Sequence, residues 1–352
     1  MAWQGYNYSP NRYLSDHARF PSRVIVGTES FPTQSFVMWD LAWRHAHVIG
    51  DFIWTAFDYI GESDIGFESQ SADVDECSGR EPFPWHISFC GDVDNAGQRK
   101  PQSYYRRVLW GIDTINVAVH VPGAPAAERV GRWGWPEERQ SWSWGGFEGT
   151  NVSVNVYAKG GGKHTPHAAC ASVVLAVNGV QVGRLPVSYQ TQFTATFERV
   201  VYTPGTLTAT CYTADSTHEG AAPIASVSYK SAGVPRALRL SVDQPTIPNS
   251  RDALAFVTVE AVDAHGELVP DASLELSFAV KGTAGELAAL GNGNPQDIDS
   301  FQGTKRRLWR GTGLAVLRPT VAAVAAGVGG PIVLTVEGKG VGKARMEVVT
   351  SS

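Results

Sequence analysis

The run Val24-Ile25-Val26-Gly27-Thr28-Glu29-Ser30 is a short, largely β-branched strand that closes on a carboxylate, and a second run, Asp51-Phe52-Ile53-Trp54, closes on an aromatic ring. A buried strand has no local use for Glu at its C-terminal end, because burying an unpaired charge is costly. Two readings of Glu29 stand: it caps the following helix beside Ser30, or it faces a site at the strand end, where parallel α/β barrels carry their chemistry. The flanks argue for the second. Gly5-Tyr6-Asn7-Tyr8 reads as the tail of a preceding strand, and residues 10–23 are polar enough for a crossover. Residues 35–49 carry Trp39, Trp43 and Ala46 in a roughly helical stripe, which Gly50 interrupts. Strand, helix, strand, helix, strand is the wiring of a parallel barrel.

Four stretches then occur in a recognisable order: Gly5-Tyr6-Asn7-Tyr8, Gly27-Thr28-Glu29-Ser30-Phe31-Pro32, Gly50-Asp51-Phe52-Ile53-Trp54-Thr55-Ala56-Phe57-Asp58-Tyr59 and Lys100-Pro101-Gln102-Ser103-Tyr104-Tyr105-Arg106. Together they resemble glycoside hydrolase family 2, the family of β-galactosidases, β-glucuronidases and β-mannosidases. The resemblance covers the first third directly, and the remainder is similar to the β-sandwich modules that follow the barrel in those enzymes. The implied fold is α/β plus all-β. The C-terminal part of a (β/α)8 TIM barrel spans 1–115, an immunoglobulin-like β-sandwich with a Trp-rich connector at 122–149 spans 116–232, and a C-terminal immunoglobulin-like β-sandwich spans 233–352.

The resemblance implies roles position by position. Glu29 matches the nucleophile of a retaining glycosidase, at the end of the seventh barrel strand. Tyr8, or else Tyr6, matches the tyrosine that hydrogen-bonds the nucleophile, with Asn7 beside it as a sugar contact. Trp54 matches the aromatic that ends the eighth strand and lines the sugar subsite, and Asp58 falls on the Trp-x-x-x-Asp spacing found there. These residue types suit the chemistry. One carboxylate attacks the anomeric carbon while a second, roughly 5 Å away, serves as acid and then base. A tyrosine hydroxyl donating to the attacking carboxylate holds it charged and aimed. An indole face orients a pyranose against its C–H face, although plain core packing is the alternative for Trp54.

An absence bears on activity. The family's acid/base is the Glu of an Asn-Glu pair that precedes the nucleophile in sequence, yet none of the 28 residues before Glu29 is Glu and no Asn-Glu pair occurs anywhere. The chain therefore reads as the C-terminal piece of a longer enzyme, inactive alone, that associates with the missing N-terminal portion or with a second copy. Its substrate is expected to be a β-galactoside or related carbohydrate, because the lysine that neutralises the sugar carboxylate in the family's glucuronidases is lacking around Phe89-Cys90-Gly91-Asp92. A non-catalytic carbohydrate-binding or adhesion protein built of immunoglobulin-like modules is the rival reading.

The net charge of −5 is mild and Lys and Arg form no patch, which argues against nucleic acid. No apolar run is long enough to span a bilayer. Residues 1–20 lack a signal peptide's charged and apolar regions, an absence that leaves localisation open if the N-terminus lies upstream. No metal or cofactor is expected. Cys77, Cys90, Cys170 and Cys211 show no C-x-x-C spacing, and Cys170 lies just before one predicted strand and Cys211 within another of the same module, either as a disulfide or as small core residues. His45 and His47 are expected on different helix faces, wrong for a shared metal, and Asp92-Val93-Asp94-Asn95-Ala96-Gly97 lacks the Glu of a calcium loop.

From Asn151 the pattern alternates with period two: Val152, Val154 and Val156, then Val173, Leu175 and Val177, with Asn178-Gly179 as a hairpin turn. A boundary is expected near 231–235. A second strand series follows through residues 238–242, 255–262, 274–280 and 332–336, with Lys305-Arg306-Arg307 read as a solvated loop. Trp133, Trp135, Trp142 and Trp144 either seal the joint to the first sandwich or form a shelf for outer sugars.

Overall fold

The computed structural model describes residues 2–63, 65–66, 83–124, 130–160, 169–213 and 222–351. It is mostly β. Contacts divide the chain into one unit of residues 1–94 and 98–230 and another of 95–97 and 231–352.

The first unit opens with parallel strands β1 (Ala2–Asn7), β2 (Arg23–Ser30) and β3 (Val48–Ile53), in that order across the sheet. Helices α1 (Tyr13–Arg19) and α2 (Ser35–Arg44) form the crossovers that parallel neighbours require. Tyr6, Tyr13, Ile25, Met38 and Val48 make the core between sheet and helices. Gly27 is needed here, since a Cβ would stand 2.5 Å from the Met38 methyl and 2.8 Å from the Tyr13 hydroxyl. The opposite sheet face is bare, with Trp3 67% and Phe52 66% exposed. The helix expected to reach Ile49 ends at Arg44, and Val48 already lies in β3. The Ile25 amide donates to the His47 carbonyl at 2.7 Å, so the ladder to β2 captures this stretch, and β-branched Val48 and Ile49 favour it.

A small antiparallel pair, β4 (Tyr59–Ile60) with β5 (Ile87–Ser88), precedes α3 (Pro101–Leu109), which starts on the Pro that suits a first helical turn. The sandwich follows as β6 (Ile115–His120), β7 (Glu138–Arg139), β8 (Asn151–Ala158), β9 (Ser172–Val177), β10 (Val180–Pro186), β11 (Thr194–Val201), β12 (Thr206–Tyr212) and β13 (Ala225–Lys230). Its sheets run β11-β8-β6-β7 and β10-β9-β12-β13. The alternate valines of β6 and β8 meet Val173, Leu175, Leu207 and Ala209 across the core, with Trp142 fully buried among them. Strand β6 is covered on both faces, because Ala118 on its other side packs with Phe36, Trp39, Tyr105, Val108 and Leu109 of α2 and α3. Asn178 (φ 52°) and Gly179 (φ 79°) take the left-handed conformations that a tight hairpin needs.

Cys170 and Cys211 form a disulfide with a Cα–Cα distance of 5.7 Å, Cys90 is free and buried, and Cys77 lies outside the described residues. The bridge closes a loop of separation 41. Removing it by Cys170→Ala with Cys211→Ala is expected to destabilise this unit by about 2–4 kcal/mol. Thermal melts of the variant and of the reduced parent should fall together.

The second unit contains β14 (Ala237–Val242), β15 (Thr246–Pro248), β16 (Ala255–Val262), β17 (Glu275–Lys281), β18 (Gly285–Gly291), β19 (Lys305–Arg307), β20 (Thr312–Pro319), α4 (Val321–Ala326), β21 (Gly330–Gly338) and β22 (Gly342–Ser351). Sheets β14-β16-β20-β18 and β15-β22-β21-β17-β19 enclose Val257, Val259, Leu276, Leu317, Leu334 and Val348. The expected solvated loop at Lys305-Arg306-Arg307 is instead strand β19, with Arg306 only 2% exposed. Its guanidinium pairs with Asp297 at 2.9 Å and donates to the carbonyls of Leu290, Asp299 and Ser300, which makes its burial tolerable.

Candidate functional site

Glu29 is half-buried at the C-terminal end of β2, and its carboxylate lies near enough to the Tyr8 phenol to raise that phenol's pKa. Tyr6 does not compete, since its hydroxyl donates to Asp16 at 2.6 Å on the helix side of the sheet. Tyr8 sits at φ 52°, a left-handed conformation that a bulky residue adopts at a cost of about 1–3 kcal/mol. Its backbone N–H is held by the Glu29 carbonyl at 2.8 Å. The phenol ring stacks on Phe31 at 4.2 Å between centroids, and the Trp133 indole stands edge-on to both. Trp133 Nε1 donates to the Tyr8 oxygen at 3.3 Å. Burial pushes the Tyr8 phenol well above its ordinary range, with Trp133 pulling it down and Glu29 pushing it further up.

On the next strand, the Trp54 amide donates to the Ser30 carbonyl at 3.0 Å, which ties the ends of β2 and β3 together. The half-buried Trp54 indole donates to the Tyr59 hydroxyl at 3.2 Å, and Tyr59 in turn donates to the exposed carboxylate of Glu62. Burial first, then Glu62, pushes the Tyr59 phenol up to about 12. Burial pushes the Cys90 thiol up to about 12. Asn7 is exposed at the end of β1, where its Oδ1 accepts from the Thr28 hydroxyl.

Asp58 is placed differently. It is 5% exposed, both its oxygens accept from Lys100 Nζ at 2.8 and 3.0 Å, and the Gly91 amide donates to it at 2.8 Å. Burial raises its pKa to about 6 against the pull of Lys100. With its lone pairs committed, Asp58 holds the loops around the site and offers nothing to a sugar as placed. Gly91 is part of the clamp, because a Cβ there would stand 2.4 Å from the Asp58 nitrogen. A second charged layer lies beneath: Ser30 donates to Asp51 at 2.6 Å, and Arg106 reaches Asp51 at 3.7 Å and Asp92 at 3.0 Å. Asp94 accepts from the Gln98 amide, as a turn residue does. His45 and His47 lie beyond the end of α2, with the His47 ring stacked 3.4 Å from that of His17. Among the described residues no group of three or more His, Cys, Asp or Glu could hold a metal, and no helix is long and apolar enough to cross a membrane.

The connector is fixed by a buried carboxylate. Glu138 accepts from Tyr157 at 2.7 Å, from Trp135 Nε1 at 3.1 Å and from the Asn155 amide, with no cation among these partners. Burial raises its pKa above the ordinary Glu value of 4.5. A raised folded-state pKa means stability that is full below the unfolded value and lost as pH rises through the folded one. Melts across weakly acidic pH should therefore show the parent losing stability as pH rises, and Glu138→Gln should flatten that slope. An unchanged slope would place the titration elsewhere. Tyr59 and Lys100 were not legible as site residues, and Trp133 was legible only as one of four connector tryptophans that seal a joint or form a shelf for outer sugars, since its contact with Tyr8 is one that no local pattern encodes.

Comparison with known proteins fits this architecture. Residues 238–347 match the model of glycoside hydrolase family 2 C-terminal domain 5, and residues 167–218 match a domain of unknown function. A family 2 member from Bacteroides cellulosilyticus superposes with a TM-score of 0.82 at 32% identity, over 99% of this chain and 42% of that one. A β-galactosidase of Bacteroides ovatus is 24% identical over 89% of this chain and 36% of its own length. A putative β-glucuronidase of Formosa agariphila is 25% identical over 85% of this chain and 24% of its own. The chain belongs to glycoside hydrolase family 2 and corresponds to the C-terminal portion of its members. It spans well under half the length of these relatives.

Proposed function

We propose that this chain supplies the nucleophile side of a retaining β-glycosidase site, on the last strands of a (β/α)8 barrel followed by two immunoglobulin-like sandwiches. The observation that carries the reading is the half-buried Glu29 carboxylate beside the Tyr8 phenol at the end of a parallel strand, with Trp54 closing the neighbouring strand. Glu29 attacks the anomeric carbon as the aglycone leaves, protonated by an acid from outside this chain. The resulting glycosyl ester is then opened by water, whose proton passes to the same external group, and Glu29 is released as a carboxylate. Trp54 and Asn7 contact the sugar, while Asp58 positions the loops.

A neutral, galactoside-like sugar is favoured over a uronic acid. Lys100 does reach the stretch after the last barrel strand, but its ammonium is spent on Asp58 and on the Phe89 carbonyl at 2.7 Å. The exposed Glu62 carboxylate, one hydroxyl away from the Trp54 indole, adds negative charge where an acidic sugar would need a cation. The curated relatives bear both names, so the choice rests on these residues. The 352-residue chain alone should leave an aryl β-galactoside intact. Joined to barrel strands that carry an acid/base, it should cleave the galactoside in preference to the glucuronide, with the β-anomer formed first. Release of the α-anomer, or turnover by the chain alone, would contradict the proposal.

A further inference from the structure

Trp133 lies 104 positions after Glu29, in the connector to the first sandwich, yet its indole ends at the Tyr8 phenol. An indole N–H can only donate, and a phenol has a single proton. The 3.3 Å contact therefore fills a lone pair of the Tyr8 oxygen and leaves the phenol proton free to be directed at the neighbouring Glu29 carboxylate. Without Trp133 the hydroxyl could rotate to any acceptor or to water. The placement of Trp133 is itself fixed from two sides. The Arg132 carbonyl accepts from Thr33 Oγ1 at 3.5 Å, and Trp135 is anchored on Glu138 in β7.

We propose that Trp133 is a positioning residue for the nucleophile: its N–H orients the Tyr8 hydroxyl so that the proton points at Glu29, which makes the sandwich connector part of the catalytic site. This rests on the reading of Glu29 as nucleophile. It separates Trp133 from the other connector tryptophans, of which Trp142 and Trp144 serve the sandwich core.

The test is a double-mutant cycle in the acid/base-complete glycosidase, with kcat and KM measured separately on an aryl β-galactoside. Trp133→Phe keeps an aromatic ring and removes the N–H, and it should lower kcat about tenfold with KM little changed. In a Tyr8→Phe background the same change should cost nothing further, because the oxygen through which Trp133 acts is gone. Should Trp133→Phe fail to fold, 3-benzothienylalanine at position 133 preserves the bicyclic shape and lacks only the N–H, and the same non-additivity is expected. An equal loss in both backgrounds, or a rise in KM at constant kcat, would overturn the proposal while leaving Glu29 in its role. Normal turnover in Glu29→Gln would overturn both.

Discussion

Glu29→Gln, made in a glycosidase that joins this chain to its acid/base, is expected to lower hydrolysis of an aryl β-galactoside by several orders of magnitude without altering the fold. Gln keeps the size of the side chain and can still meet the Tyr8 hydroxyl, but its amide cannot form the glycosyl ester. Thermal stability should therefore hold while turnover is lost. Glu29→Gly should recover part of the activity with added azide, because a small anion can enter the vacated space and attack the anomeric carbon. Trp54→Ala should weaken binding and turnover together and abolish neither, since the indole orients the sugar and forms no bond. The contrast between the two positions matters as much as either result, because a general loss of structure would depress both alike.

Lys100→Met should be the most damaging single change to stability in the first unit. It would leave the Asp58 carboxylate buried with only the Gly91 amide among the donors named here, and breaking a buried pair from one side costs about 3–5 kcal/mol. The sign of the pH dependence follows from burial, which already pushes Asp58 up to about 6 with Lys100 present. Loss of Lys100 pushes it higher, so the deficit in Lys100→Met should shrink from mildly alkaline to mildly acidic buffer as Asp58 takes up a proton. Lys100→Met combined with Asp58→Leu should recover most of the loss, since an apolar pair of similar volume carries no desolvation penalty. Denaturant melts of the single and double variants at two pH values would decide it. A deficit that grew on acidification would refute the buried-charge account.

The sequence carried the strands well where one face is buried and the other is not. Val152, Val154 and Val156 of β8 and Val173 and Leu175 of β9 alternate because the sandwich core takes every second side chain. The turn at Asn178-Gly179 was legible because those residues tolerate positive φ. Local pattern failed where a distant partner decides. Val48 and Ile49 continue a helical stripe on paper, but the backbone of β2 is there to pair with them. Arg306 sits in a run of three cations that looks solvated, and the Asp297 carboxylate with the carbonyls of Leu290, Asp299 and Ser300 makes its burial possible. At the site, the motifs placed Glu29, Tyr8 and Trp54 at neighbouring strand ends, whereas Lys100 and Trp133 arrive from 42 and 125 residues away from their partners Asp58 and Tyr8. No spacing rule reports such contacts. Asp58 shows the converse: its position in the motif is plain, but its burial under Lys100 was not.

The Glu29 carboxylate is expected to form a bond to the sugar, and a slow substrate can trap that bond. A 2-deoxy-2-fluoro-β-galactoside with a good leaving group should inactivate the acid/base-complete enzyme, as the carboxylate displaces the leaving group and the fluorine retards attack of water on the ester. Digestion and mass spectrometry of the inactivated enzyme should then find one fluorosugar per molecule, on the peptide that contains Glu29. Stoichiometric labelling of any other carboxylate, with Glu29 unmodified, would contradict the account.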